Sequence, residues 1–565
     1  MQSRLIGFIC RAVALSAIVL SGHSLAVDTV SELKFVPNPS GRVPLAAAIE
    51  FSGPPGLRLK LTISSGDEHY TFSGGPEWML DAEHYRVPVL GMRPAREHAI
   101  QLDVFRGDQL LAERSFSHKT PSLPDNPLAF PPFQVKVLEA DRLEPGVTFL
   151  SVRRRALGRS QWLTPAQHRF STQWGMLVAF DQHAEVVWWY ESDSRTAGIE
   201  RLHNGNILMH RTDFSAVEID MLGFVKNQYY AEQRPSPKPE NPDAVPIHGI
   251  QTLHHQPHQM PNGDFLSFSA NAYPIENYIS SENDPLAPRK DAMVMADTVM
   301  QFTPEGEVVW RWNTMDYLDP FRIGYDTFWA YWWVRGFDQH VDWTHANGVS
   351  YDASDDSVLI SLRNQSAVLK IDRSTGDIKW ILGRHDNWPP SLESKLLTPA
   401  GPGPFMWQAY QHNPRVTSKG TVILFDNRAH GGAMPFEERP PAYKGFSRGV
   451  EYLVDESAMT VRQVWASSDG SEDYACFTNA MSDASRLPKT DNRLVIHAFC
   501  LPRDEGMTED EMDETRRAPG DFPYGGRILE FSDGEVVLWI DVVDPNDLIQ
   551  WEVYGGFRNS GLYAQ

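Results

Sequence analysis

Three histidine phrases carry the first hint of chemistry: "LHHQPHQMPNGDFLSF" from Leu253, "WTHANG" from Trp343 and "WQAYQHNPRV" from Trp407, in a chain with 19 histidines among 565 residues. His255 lies eight residues before Gly263 and His412 lies eight before Gly420, so both sit at one offset from a turn glycine. His345 likewise stands just ahead of an apolar run. Imidazoles gathered this way can supply a nucleophile and a proton donor, and a guanidinium beside them can hold a tetrahedral oxyanion through two parallel bonds. A hydrolytic metal centre would call for carboxylates recurring at the same offsets, and none does. The local run His254, His255, His258 contains Pro257, so it is not a helical metal motif either. No metal and no cofactor are expected.

What must position these side chains is a repeat. "MLVAFDQHAEVVWWY" from Met176, "SAVEIDMLGFVKNQYY" from Ser215, "TVMQFTPEGEVVWRW" from Thr298, "SAVLKIDRSTGDIKWIL" from Ser366, "GVEYLVDESAMTVRQVW" from Gly449 and "RILEFSDGEVVLWI" from Arg527 are one phrase. Each is a strand, a tight turn and a second strand closing on an aromatic. A shorter phrase precedes several of them, as in "LHNGNILMH", "MPNGDFLSF" and "TSKGTVILF". Alternating the two hairpins gives about four strands per unit and about six units, the signature of a six-bladed β-propeller. A sandwich of similar hairpins is the alternative.

In a propeller the innermost strands line a central channel, so His255, His345 and His412 are expected to converge at its mouth. The hairpin that leaves His345 returns along "VLISL" to Arg363. Asn347, two residues beyond His345, is expected on the same side of the strand.

The remaining organisation is simpler. Residues 1–26, with Arg4 and Arg11, the run "AVALSAIVLS" and the small-residue end "SLA", read as a secretory signal peptide, which implies export to the periplasm. Residues 27–125 alternate apolar and polar residues in short runs and read as a small N-terminal β-sandwich domain. The Pro-rich stretch from Lys119 to Phe133 leads into a second domain over 126–565. Cys476 and Cys500 are the two cysteines left in an exported chain and are expected to pair. A net charge of −22 argues against nucleic-acid and anionic-membrane partners, so any anion site must be built from local Arg and His. A homodimer is left open.

"HHQPHQMPNGDFL", "DWTHANGVSYDASDDSVLISLRNQSAVLKIDRSTGDIKWILG" and "WQAYQHNPRV" together resemble the bacterial arylsulfate sulfotransferases. The resemblance implies transfer of a sulfuryl group from a phenolic sulfate ester to a phenol through a sulfated histidine. It implies His412 as nucleophile, His255 and His345 as its supports, Arg363 as sulfate ligand, and Asn347 beside them. His254 is the alternative to His255. Thr478 in "CFTNAM" matches a further polar position of that family. Some relatives carry a disulfide just before the nucleophile, and "PAGPGPFMWQAYQH" has no cysteine.

The segment from Asp319 to Trp343 is rich in Trp, Tyr and Phe, as suits either core packing or a clamp for an aryl ring. "KIDRSTGDIKW" also resembles a repeat of quinone-dependent dehydrogenases, but those need a quinone and metal-binding carboxylates that this chain does not repeat. A non-catalytic anion-binding propeller is the third reading.

Overall fold

The computed structural model describes residues 30–156, 163–440, 445–501, 525–546 and 548–563, so the signal expected over 1–26 lies outside the described residues. The described chain is nearly all strand, with two α-helices, Pro165–Thr172 and Thr314–Tyr317. No described helix is long and apolar enough to cross a membrane.

The N-terminal strands pair only among themselves. Lys34–Pro37, Ala47–Ser52 and His84–Val89 make one sheet, and Glu68–Gly74, Arg58–Ser65, Glu97–Arg106 and Gln109–Lys119, in that order, make a second. Alternation decides which face turns inward: Leu59, Leu61 and Ile63 from one sheet and Tyr85, Val87 and Val89 from the other are buried in a common core. Each such side chain contributes about 1.5–3 kcal/mol of burial.

Six further, mainly antiparallel sheets follow, three of them with one short parallel strand added, and all six repeated phrases fall as hairpins within them, for example Gly175–Phe180 with Val186–Ser192 and Ala367–Asp372 with Ile378–Gly383. The first sheet takes its opening strand from the other end of the region: Ile549–Asn559 pairs antiparallel with Val147–Ala156. The last sheet is extended at its outer edge by Phe133–Leu138. Both ends of the region are thereby held in sheets built mainly from distant residues.

The lead strand of each sheet packs on the lead strands of the sheets before and after it. The contacts run through Thr196–Arg201, His254–Gln259, Ala346–Asp352, His412–Val416, Asp483–Arg486 and Ile549–Asn559, and return to the first of these. Such close packing needs small residues. A Cβ on Gly198 would lie 2.7 Å from the His255 carbonyl oxygen, and one on Gly348 would lie 2.7 Å from the backbone of Asn413.

The aromatics that close the repeated hairpins stitch one sheet to the next. The indole of Trp188 donates to the Met221 carbonyl in the following sheet at 2.8 Å, Trp312 to that of Gly376 at 2.9 Å, and Trp380 to the Glu456 carboxylate at 2.9 Å. A buried indole N–H needs an acceptor, and the neighbouring turn supplies one. Cys476 and Cys500 form a disulfide with Cα atoms 5.2 Å apart.

Candidate functional site

Each histidine phrase opens its lead strand with a bulge. His254 faces Phe268 before the ladder slips to His258 opposite Leu266, and His412 faces Phe425 before the slip to Arg415 opposite Ile423. Ala346 faces Leu362 before the slip to Gly348 opposite Ser361. The backbone turns left-handed at these places, with φ of 65° at His255, 50° at His345 and 48° at Asn413. Bulges re-aim side chains, and here they turn imidazoles toward a shared cavity of about 310 Å³. His255 and His412 share their distance from the turn glycine, but in the ladder it is His254 that matches His412. His255 lies inside the longer bulge, left-handed like Asn413 after His412.

Inside the cavity the rings cluster. The His255 ring centre lies 5.0 Å from that of His345 and 6.4 Å from that of His412. The ring partners then fix the tautomers. The Asn427 amide nitrogen donates to the carbonyls of Thr478 (2.8 Å) and Met481 (3.1 Å), so its oxygen faces His412 and must accept the proton of His412 Nδ1 at 2.9 Å. Nε2 of His412 is left with a lone pair.

His345 Nδ1 donates to Asp342 Oδ2 at 2.5 Å, and the other Asp342 oxygen accepts the Trp332 indole at 2.8 Å. His254 holds its Nε2 3.3 Å from Asp297 and meets His255 Nδ1 through its own Nδ1 at 2.6 Å. The Asp297 contact is an approach of charges and not an aligned hydrogen bond, as both atoms lack a hydrogen-bond partner. A proton held on that side of His254 leaves its Nδ1 to accept from His255, so that His255, like His345 and His412, keeps Nε2 for a ligand.

Arg363 is brought beside His345 as the hairpin count requires: its backbone N–H donates to the His345 carbonyl at 3.1 Å. Its guanidinium lines the same cavity and bonds Asp326 (2.8 Å) and the Asn479 carbonyl (3.1 Å). The second Asp326 oxygen lies 3.1 Å from His430 Nε2.

Asn347 and Thr478 are not among the cavity-lining residues. The alternation expected to carry Asn347 to the side of His345 is broken by the left-handed turn and the bulge between them. Its amide donates instead to the Gln411 carbonyl at 2.8 Å, tying the His345 strand to the residue before His412. Thr478 is fully buried and acts through its carbonyl, which holds Asn427. Among the described residues no group of three or more His, Cys, Asp or Glu side chains is placed to hold a metal ion.

The sequence of the chain matches the family model described as arylsulfotransferase (ASST) over residues 138–522. The chain belongs to the arylsulfotransferase family. Within that family it is 27% identical over 336 residues to arylsulfate sulfotransferase AssT of Escherichia coli O6:H1, covering 50% of this chain and 51% of that protein. It is 36% identical over 147 residues to AssT of Lelliottia amnigena, covering 23% of each. The chain thus spans about half the length, or less, of the curated relatives it matches. Among solved structures, the periplasmic gluconolactonase PpgL of Pseudomonas aeruginosa aligns at 9% identity over 72% of this chain and 99% of that one, with a TM-score of 0.33.

Burial and neighbouring positive charge favour the neutral forms of His412 and His255. Burial first, and then the Arg363 charge, hold His412 well below the ordinary imidazole range, against the opposing effect of its bond to Asn427. His255 is held low by burial and then by His254, His345, His412 and Arg335. Burial pushes Asp326 up, yet His430 and Arg363 together outweigh it and keep the carboxyl well below its usual range.

Sequence reading missed Asn427, Asp342 and Asp326, while the aromatic segment it singled out supplies Tyr331, whose ring lies 4.4 Å from that of His345 and 5.9 Å from that of His255 between centres. Two of them carried a usable signal. Asn427 follows the return strand of the His412 hairpin as Arg363 follows that of His345, and Asp342 stands three residues before its histidine.

Proposed function

We propose that this chain transfers the sulfuryl group of an aryl sulfate to a phenol by a two-step exchange through His412. The observation that carries the reading is the lock on His412: Nδ1–H committed to Asn427, Nε2 left with its lone pair, and the ring inside a cavity shared with His255, His345 and Arg363. In the first step Nε2 attacks sulfur, the S–O bond to the aryl group breaks, and His345 passes a proton to the departing phenoxide. Asp342 beside Nδ1 is the natural counterion for His345 in its protonated form. In the second step His345 takes the proton of the incoming phenol, whose oxygen attacks sulfur as the N–S bond breaks.

Arg363 holds sulfuryl oxygens, and its bond to Asp326 sets the fork in place. His254 orients His255, which lends polar support to the sulfuryl group. Tyr331 and Trp329, from the aromatic segment, line the cavity and suit stacking on the aryl ring. The six sheets with cyclic lead-strand contacts support a six-bladed propeller over 126–565, and the separate core of the N-terminal strands supports a β-sandwich over 27–125. The disulfide supports an oxidising, periplasmic location.

Quenching the enzyme with a chromogenic aryl sulfate and no acceptor, then mapping peptides by mass, tests the nucleophile. A sulfuryl adduct on the peptide carrying His412 is expected. His412→Asn should lower transfer by about 10⁴-fold or more without changing the melting temperature. An adduct on a different peptide, or transfer proceeding with no adduct at all, would overturn the assignment.

A further inference from the structure

The cavity has a second polar wall that the histidine chemistry leaves unused. Arg153, in Val147–Ala156, and Tyr554, in Ile549–Asn559, come from the first sheet, and Arg335 closes the short turn Trp333–Arg335. All three line the same cavity as His412. Nearby Glu552 is buried and already bonded to Arg195 at 2.5 Å and Arg155 at 3.4 Å.

Arg153 and Arg335 have no such partner: among the described residues neither has a carboxylate within 4.0 Å. Arg153 donates to the Thr196 carbonyl and to Met481 Sδ (3.2 Å), with its plane 4.4 Å from the Tyr554 ring centre. Arg335 donates to the Tyr331 carbonyl at 2.6 Å and lies 3.8 Å from that ring's centre. The Tyr554 hydroxyl is buried and has no hydrogen-bond partner.

Buried charges are ordinarily paired, and buried hydroxyls ordinarily bonded. A buried guanidinium, Arg153, a half-buried one, Arg335, neither with an acid, and an orphaned O–H, gathered in one cavity, make an anion site whose anion is not part of the protein. Burial, and then Arg195, draw the Arg153 guanidinium down only to about 9, so it remains charged at neutral pH. The transferred sulfuryl group is already provided for by Arg363. A chain of net charge −22 does not attract anions in bulk, so this wall serves a specific ligand.

We propose that Arg153, Arg335 and Tyr554 form a second anion subsite that selects phenols and aryl sulfates bearing a further anionic substituent, a carboxylate or a second sulfate ester. The inference rests on the sulfuryl-transfer reading and names its substrate class. Arg335 and Arg153 supply charge-assisted bonds to the substituent, Tyr554 donates a third, and the aryl ring spans the space toward His412.

The test charges the enzyme with a chromogenic aryl sulfate whose ring bears no further charged group and compares three acceptors by kcat/KM: phenol, 4-hydroxybenzoate and tyramine. The wild type should favour 4-hydroxybenzoate over phenol by at least about tenfold. Arg335→Gln should cut that ratio by about fivefold or more with phenol changed less than about twofold, and Arg335→Glu should shift preference toward tyramine. Comparing ratios between variants cancels the intrinsic acidity of each phenol. A ratio that Arg335→Gln leaves unchanged, or an equal loss for all three acceptors, would overturn the subsite. Absence of any transfer to phenol in the wild type would instead defeat the underlying function, so the two failures are distinct.

Discussion

At the histidine cluster each imidazole lining the cavity has its Nδ1 engaged, by Asn427, by Asp342 or by His254, while elsewhere in the same cavity two guanidiniums meet no carboxylate and a tyrosine hydroxyl meets no partner at all. One region has its reacting rings oriented by the protein, and the other keeps donors that no protein carboxylate meets. Groups that make and break bonds must hold one tautomer and one orientation through both half-reactions, so the fold supplies their partners. Groups that recognise are left for the ligand to satisfy, since a buried donor with no partner rejects any molecule that cannot bond it.

That contrast orders the expected effects of substitution. Asp342→Asn should be the most severe after loss of the nucleophile, about 1,000-fold in kcat, because His345 loses the carboxylate that fixes its proton. Both half-reactions of the variant should slow together while the melting temperature holds. Near-normal turnover would move proton transfer to His255. Arg363→Lys comes next, with a loss of about 100-fold shared by all acceptors, since a point charge cannot replace the fork. Kinetics close to wild type would reduce Arg363 to a scaffold for Asp326.

On the recognition wall the effects should be smaller and selective, confined to anionic acceptors as described for Arg335. If Arg335→Gln slowed every acceptor alike, the two poles would be one machine and the contrast would fail. The smallest effect is a predicted constancy. His412 is held below the ordinary imidazole value of about 6.5, so it stays neutral as pH falls through that value. Single-turnover sulfuryl transfer onto His412 should therefore change less than about threefold from pH 7.5 to 5.5. A fall of tenfold centred near 6.5 would show an unshifted nucleophile.

Much of this was legible beforehand because hairpins repeat. The offset to a turn glycine found His255 and His412, and following one hairpin down and back found Arg363 beside His345. The same count applied to the His412 hairpin leads from Phe425 to Asn427, so that residue was within reach. Strict alternation failed at Asn347, because a residue with φ of 50° and a bulge lie between it and the expected direction. No local pattern could announce the second wall. Arg153 and Tyr554 are meaningful only once strands four hundred residues apart are paired, and a run of three arginines reads by itself as surface charge.

The pairing of Val147–Ala156 with Ile549–Asn559 also sets an order of events. During synthesis the early strand can pair at once with Gly175–Phe180, but its other edge waits until the late strand has been made, a loop closure of the slow, non-local kind. The late strand carries Tyr554 and Glu552, and the early one carries Arg153 and Arg155. A nascent chain stopped after His412 would own its nucleophile and both guanidiniums, but not the Tyr554 strand that completes the wall. Full discrimination is the last property this polypeptide acquires, and it arrives with the same strand that closes the fold.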